Sequence, residues 1–130
     1  MANNSSDTIR KHFQLADQFL ATARKVEQEG DLRTAADRAY YAMFHAASAA
    51  LAAKGISTKT HTGLLNKLGS EYIKTGLLDR KFSGYMRMSF DLRQAGDYAI
   101  HADIDQTKVD EVVDWADEFV AKLKEILGIK

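Results

Sequence analysis

The chain has 130 residues, contains neither cysteine nor proline, and balances 18 basic side chains with 18 acidic ones. The absence of cysteine excludes disulfides, thiol catalysis and thiolate metal sites. The N-terminal segment lacks the apolar core of a signal peptide, and no apolar run is long enough to span a bilayer, so we expect a cytoplasmic protein without a membrane partner. The length predicts one domain over residues 1–130, with a folded core at about 7–127.

The first two predicted helices carry apolar residues at spacings of three and four. Helix one is predicted from Ser6 or Asp7 to Glu29. Helix two is predicted from Asp31, which is a good N-cap residue, to just before Gly55. Many alanines lie on its apolar face, and such small side chains let neighbouring helices approach closely. We therefore expect helix two to be the central helix.

Three further helices are predicted at about 60–75, 79–101 and 107–127. The first of these contains Gly63 and Gly69, which lower its helix propensity, so we expect it to be the least stable helix. The pattern predicts an all-α fold, an antiparallel up-and-down four-helix bundle with a short additional helix.

The predicted helix four has more apolar surface than one buried stripe can use. Met88 and Phe90 would face solvent in a monomer, and an exposed apolar patch often marks an interface. We therefore expect a two-fold symmetric homodimer. In the core, Phe44 and Phe119 are both expected to be buried.

The neutral net charge hides an uneven distribution along the chain. Residues 54–93 hold eight basic and three acidic side chains, whereas residues 94–130 hold four basic and nine acidic ones. One interpretation is a solvated surface with compensating halves. The other is a basic patch for phosphate or RNA beside an acidic patch for a partner.

Three of the four histidines have separate expected roles. His12 is expected at the surface, His45 half-buried beside an apolar face, and His61 bound to a free backbone group in the first turn of helix three. No two histidines are three or four residues apart, so the sequence predicts no helix-borne metal pair. We expect neither a metal nor a cofactor.

The most informative cluster lies near the end of the predicted helix four. Arg93 and Asp97 are four residues apart and can meet on one helix face, and Tyr98 and His101 follow closely. Arginine can neutralise a phosphodiester, and an imidazole or phenol can transfer protons. The alternative interpretation is an intrahelical salt bridge with an anchoring tyrosine.

Three segments together make the sequence resemble the HEPN family, named for higher eukaryotes and prokaryotes nucleotide-binding. They read ADRAYYAMFHAA (36–47), THTG (60–63) and DLRQAGDY (91–98). The resemblance extends over about residues 10–127 and is closest to stand-alone prokaryotic members.

This resemblance implies a helical bundle that forms a homodimer, with the late helices facing each other across a shared cleft. It also implies, for many members, metal-independent RNA cleavage as the toxin of a toxin–antitoxin pair. The partner it implies is a minimal nucleotidyltransferase that acts as the antitoxin. Other members of the family bind RNA or nucleotides without catalysis.

The nuclease members carry an arginine and a histidine separated by four to six residues. Arg93 matches the arginine, but Tyr98 stands where the nearest allowed histidine would fall, and seven residues separate Arg93 from His101. The resemblance implies Arg93, His101 and Tyr98 as catalytic candidates, and Arg93, Asp97 and Arg87 as binding candidates. Two functions stay open: a ribonuclease toxin that binds RNA or nucleotide phosphates, and a non-catalytic interaction module that acts with a nucleotidyltransferase. A purely structural bundle is the third possibility.

Overall fold

The computed structural model describes the backbone of residues 2–98 and 104–129, and the side chains of 6–94 and 104–129. The described residues form five α-helices and no strand, which confirms the all-α prediction. The helices are α1 (Ala2–Gln28), α2 (Leu32–Ala52), α3 (His61–Leu68), α4 (Lys81–Tyr98) and α5 (Gln106–Leu127). A single π-helical turn (Gly69–Ile73) extends α3. None of the described helices is long and apolar enough to cross a membrane.

A tight turn joins α1 to α2 and makes them antiparallel neighbours. Gly30 has a φ of +85°, a left-handed conformation that glycine adopts without strain. The Asp31 carboxylate then accepts a hydrogen bond from the Thr34 amide at 3.2 Å, so it caps α2 as predicted. Helix α1 begins at Ala2, earlier than the predicted Ser6 or Asp7. The segment before Ser6 contains no proline or glycine that would end the helix.

Helix α2 is the central helix, as predicted. It packs against α1, α3, α4 and α5. Eight of its residues are buried alanines: Ala35, Ala36, Ala39, Ala42, Ala46, Ala47, Ala49 and Ala50. The small side chains on α2 are surrounded by larger core residues of the other helices, such as Phe119 and Met86.

The predicted helix at 60–75 is divided in two by a change of helix type. Thr60 caps α3 by accepting a hydrogen bond from the Gly63 amide at 2.9 Å. At Gly69 the chain changes to the wider π-helical turn, in which Tyr72 is buried and donates its hydroxyl to the Ala50 carbonyl of α2. The prediction of one regular helix was therefore wrong in its second half.

The beginnings of α4 and α5 depend on aspartate caps. Asp79 accepts a hydrogen bond from the Lys81 amide at 2.9 Å, so α4 starts two residues later than predicted. Asp105 accepts one from the Thr107 amide at 2.9 Å, so α5 starts at Gln106. Between them these helices bury Phe82, Met86, Val112 and Phe119, among others, against α2.

Candidate functional site

Arg93 is held on α4 by residues of α2. Its Nε donates a hydrogen bond to Oδ1 of Asp37 at 2.8 Å, and the two side chains are 22% and 24% exposed. The guanidinium lies 5.0 Å from the ring centroid of Tyr41 and 5.7 Å from that of Tyr40. Charge and ring quadrupole attract each other at such distances. We call these four residues the Arg93 cluster.

The sequence of α2 explains why the cluster forms. Asp37, Tyr40 and Tyr41 are spaced by three and four residues, so they share one face of the helix, and α2 packs against α4. Arg38 also bonds to Asp37, with Nη1 3.0 Å from Oδ2. One carboxylate thus binds two arginines, and these three charges sum to +1.

His61 extends this surface beyond the cluster. Its Nδ1 is 2.9 Å from the Tyr40 hydroxyl, and its ring stacks on Phe90 with centroids 3.8 Å apart. The prediction that His61 bonds to the backbone was therefore wrong, because Thr60 makes that bond. Phe90 was also predicted to face solvent, but it is half-buried beneath the imidazole.

The protonation states in this region follow from burial. Burial is the main cause that raises the pKa of Tyr40 to about 12. The nearby Tyr41 acts in the same direction, and the charge of Arg93 opposes both. Burial lowers the pKa of His61, and the charge of Arg87 acts in the same direction while Asp91 opposes it. At neutral pH Tyr40 is therefore a neutral phenol and His61 a neutral imidazole, and one of the two donates the hydrogen bond that joins them. In a neutral imidazole one nitrogen donates and the other accepts, so Nε2 of His61 takes the role opposite to that of Nδ1.

The structure gives only part of the predicted site. Arg93 has an interhelical partner, Asp37, that the sequence analysis did not identify. The side chains of Asp97 and Tyr98, and all of His101, lie outside the described residues. Arg87 is exposed on α4 and lines a groove beside the π-helical turn. His61 and Tyr40 were missed as site residues, although both belong to segments that carried the family resemblance.

A second pair of histidines lies elsewhere, between α1 and α2. The Nδ1 atoms of His12 and His45 are 3.0 Å apart, and Phe19 stacks on the His45 ring. Burial lowers the pKa of His12; burial and the adjacent His12 lower the pKa of His45. His45 is half-buried as predicted, but His12 is half-buried too, so its expected surface position was wrong. One ring must donate a proton and the other accept it.

Known proteins that are similar to this chain match most of the bundle. The profile of the HEPN domain family matches residues 9–126. A UPF0332 protein of Archaeoglobus fulgidus is 32% identical over 118 residues, which cover 91% of this chain and 94% of that protein. A Methanocaldococcus jannaschii protein named "Putative toxin" is 26% identical over 121 residues, which cover 93% and 90%. A UPF0332 protein of Pyrococcus horikoshii is 34% identical over 83 residues, but the match covers only 58% of that protein.

Proposed function

This chain belongs to the HEPN family, and from that membership we propose that it is a toxin-type protein that binds RNA phosphodiesters at the Arg93 cluster. The observation that carries the proposal is the position of Arg93, which is half-buried across two tyrosine rings and next to the Tyr40–His61 hydrogen bond. The similarity to relatives named as toxins supports the same function.

The chemistry of the cluster suits a phosphodiester in three ways. Arginine matches the geometry of phosphate oxygens and is always charged. Asp37 and the tyrosines order the guanidinium before a ligand arrives, which lowers the entropy lost on binding. The half-buried Tyr41 ring beside the cation also offers a surface on which an unpaired base can stack, whereas the Tyr40 ring is buried. A single-stranded segment of RNA can use all three features at once.

We propose a homodimer in which α4 of each subunit contributes to the interface. Met88 on α4 is 47% exposed. It lies at a cleft of about 300 Å³ that also contains Leu92 and Trp115. Asp91 and Lys108 line the same cleft, so a two-fold axis there would let each subunit offer both charges to its partner. Two copies of Arg93 would then approach one shared cleft.

In the nuclease form of the proposal, cleavage needs no metal. Arg93 holds the phosphate, and His101 or Tyr98 transfers the protons, with Asp97 and Arg87 as further binding residues. A second candidate function is a non-catalytic module that binds RNA or a minimal nucleotidyltransferase. The spacing favours this second candidate, because seven residues separate Arg93 from His101 where nuclease members have four to six.

A metal-free RNA assay tests the proposal. Labelled RNA is incubated in EDTA with the wild type, with Arg93→Ala and with Arg10→Ala, whose exposed arginine pairs with Asp7 on α1. We expect Arg93→Ala to lose RNA binding, cleavage and toxicity on expression, while Arg10→Ala keeps them. Equal RNA affinity of Arg93→Ala and the wild type would contradict the proposal that the Arg93 cluster binds RNA.

The two candidate functions separate under further measurements. Cleavage by the wild type that falls in His101→Ala, with binding unchanged, supports the nuclease. RNA binding without cleavage, together with co-purification of a minimal nucleotidyltransferase encoded beside this chain, supports the non-catalytic module.

A further inference from the structure

A groove of about 520 Å³ lies between α4 and the segment formed by α3 and the π-helical turn. Three cations line it: Lys74, Arg80 and Arg87. Ser70 and Ser83 also line it, with both hydroxyls donating to backbone carbonyls of the preceding turn, and none of the lining residues is acidic. We call it the basic groove. Its three cations are of the kind that bind phosphate oxygens in proteins.

The cations of the basic groove differ from most others on the bundle. Within the part of the chain that the structure describes, the side chains of Lys74, Arg80 and Arg87 form no ion pair. The nearby Lys81, in contrast, pairs with Glu118 at 3.0 Å. Like charges gathered around one groove repel each other, and a bound anion removes that repulsion.

Two helical glycines, one on each side of the groove, keep it open. A Cβ at Gly69 would meet nothing within 4 Å, and one at Gly84 would meet only the Met88 methyl at 3.9 Å. Neither has a positive φ, so neither the packing nor the backbone requires glycine there. Alanine would be the better helix former. Because both glycines line the groove, we expect a longer side chain at either position to narrow it.

The basic groove also adjoins the Arg93 cluster. Arg87 and Phe90 are three residues apart on α4, so they share a face of the helix. Phe90 stacks on His61, and His61 bonds to Tyr40, whose ring lies beneath Arg93. The π-helical turn forms one wall, and such turns are frequent at functional sites.

We propose that the basic groove binds the phosphate backbone of a single RNA strand whose neighbouring phosphodiester lies at the Arg93 cluster, an inference that rests on the proposed function. The groove supplies affinity that does not depend on base sequence. The cluster contacts a base through the half-buried Tyr41 ring and one phosphate through Arg93. The RNA strand therefore crosses α4 from the Arg93 cluster toward Lys74 and Arg80.

The salt dependence of RNA binding tests the groove. Fluorescence anisotropy with a labelled oligouridine compares Arg80→Gln/Arg87→Gln with Lys11→Gln/Lys25→Gln. The control removes the same charge from exposed positions on α1, a helix that packs against α2 and α5. We expect the groove variant to bind about tenfold more weakly, and its log–log salt slope to fall by about 1.4, because each lost single-strand contact removes about 0.7. The control should keep the wild-type affinity and most of the slope.

A steric variant tests the groove without changing its charge. Gly84→Leu should weaken binding of the oligouridine, Gly84→Ala should weaken it less, and thermal melts establish that both remain folded. A groove variant that matches the control in affinity and slope would overturn the inference. Competition by ATP as effective as that by oligouridine, at equal phosphate concentration, would also overturn it.

The same assay distinguishes this inference from the proposed function. If Arg93→Ala weakens binding but the groove variants do not, the inference fails and the Arg93 cluster stands. If the groove variants weaken binding and Arg93→Ala does not, the cluster fails as the RNA site and the groove stands. A wild type that binds no oligouridine overturns both.

Discussion

Arg93 and Asp37 are 56 residues apart in sequence, yet Nε of one lies 2.8 Å from Oδ1 of the other. The ion pair joins α4 to the central helix α2 at a half-exposed position. It therefore has two expected effects, one on stability and one on the placement of a cation for ligand binding.

The stability effect of this pair can be measured with a double-mutant cycle. We expect a coupling free energy of about 1 kcal/mol between Arg93→Ala and Asp37→Asn in urea unfolding, since half-exposed pairs are worth little more than surface pairs. Arg38→Ala serves as the comparison, because Arg38 bonds to the other oxygen of the same carboxylate. Strictly additive effects of the two substitutions would show that the pair contributes nothing to stability.

Two phenylalanines that were both expected in the core should differ in their contribution to stability. Phe119 is fully buried, so Phe119→Ala should lower the free energy of unfolding by about 3–5 kcal/mol. Phe44 is only half-buried at the edge of the core, so Phe44→Ala should have about half that effect. Denaturant titration measures both. A larger effect of Phe44→Ala than of Phe119→Ala would contradict the half-buried position of Phe44 at the edge of the core.

The two groove glycines should reveal a conflict between stability and ligand binding. Gly69→Ala and Gly84→Ala should each raise the free energy of unfolding by about 0.5–1 kcal/mol, because alanine has the higher helix propensity and space for its Cβ is present. Gly30→Ala provides the contrast, since its φ of +85° should make it destabilising. Lower melting temperatures for both groove variants would contradict this.

The His12–His45 pair predicts a loss of stability in acid. Both folded pKa values lie below the ordinary value of 6.5, so the unfolded chain binds protons more readily there. The stabilisation is complete above pH 6.5 and is lost as the pH falls through the lowered pKa values. His12→Asn should flatten the decline, because its amide can still donate to His45 without a second titrating ring. Parallel stability curves for the two proteins between about pH 7.5 and 5 would rule out this linkage.

The proposed dimer depends on Met88. Met88→Asp places a charge in the apolar cleft of α4 and α5, and should shift the protein to a 14.5 kDa species in light scattering. Leu77 is 49% exposed and lies outside that cleft, so Leu77→Asp should leave the assembly unchanged. A wild type that is monomeric at micromolar concentration would contradict the dimer itself.

The helices were predictable because each carries its own apolar period and most of its caps. Asp31 was identified from sequence, and it acts as the N-cap of α2 in the structure. The error at Gly69 has a different origin. A π-helical turn is stabilised by a long-range contact, Tyr72 to the Ala50 carbonyl, which a local pattern cannot contain.

The candidate site was less predictable for the same reason. Arg93 was identified through its resemblance to a family motif, but its partner Asp37 lies on another helix. Likewise, His12 and His45 are 33 residues apart, so a search for histidines at helical spacing could not pair them. Phe90 was expected in solvent because the sequence does not show that α3 begins with His61 above it.

The buried alanines of α2 have a mechanical consequence. Alanine has no side-chain rotamers, so this face of the central helix cannot adjust to a disturbance by reorienting side chains. A displacement of the α2 backbone beside Asp37 or Tyr40 therefore cannot be absorbed by rotamer changes of these alanines. We expect a ligand that displaces this backbone to perturb the imidazole pair shared with α1 as well, and relaxation-dispersion NMR of α2 amides would detect it.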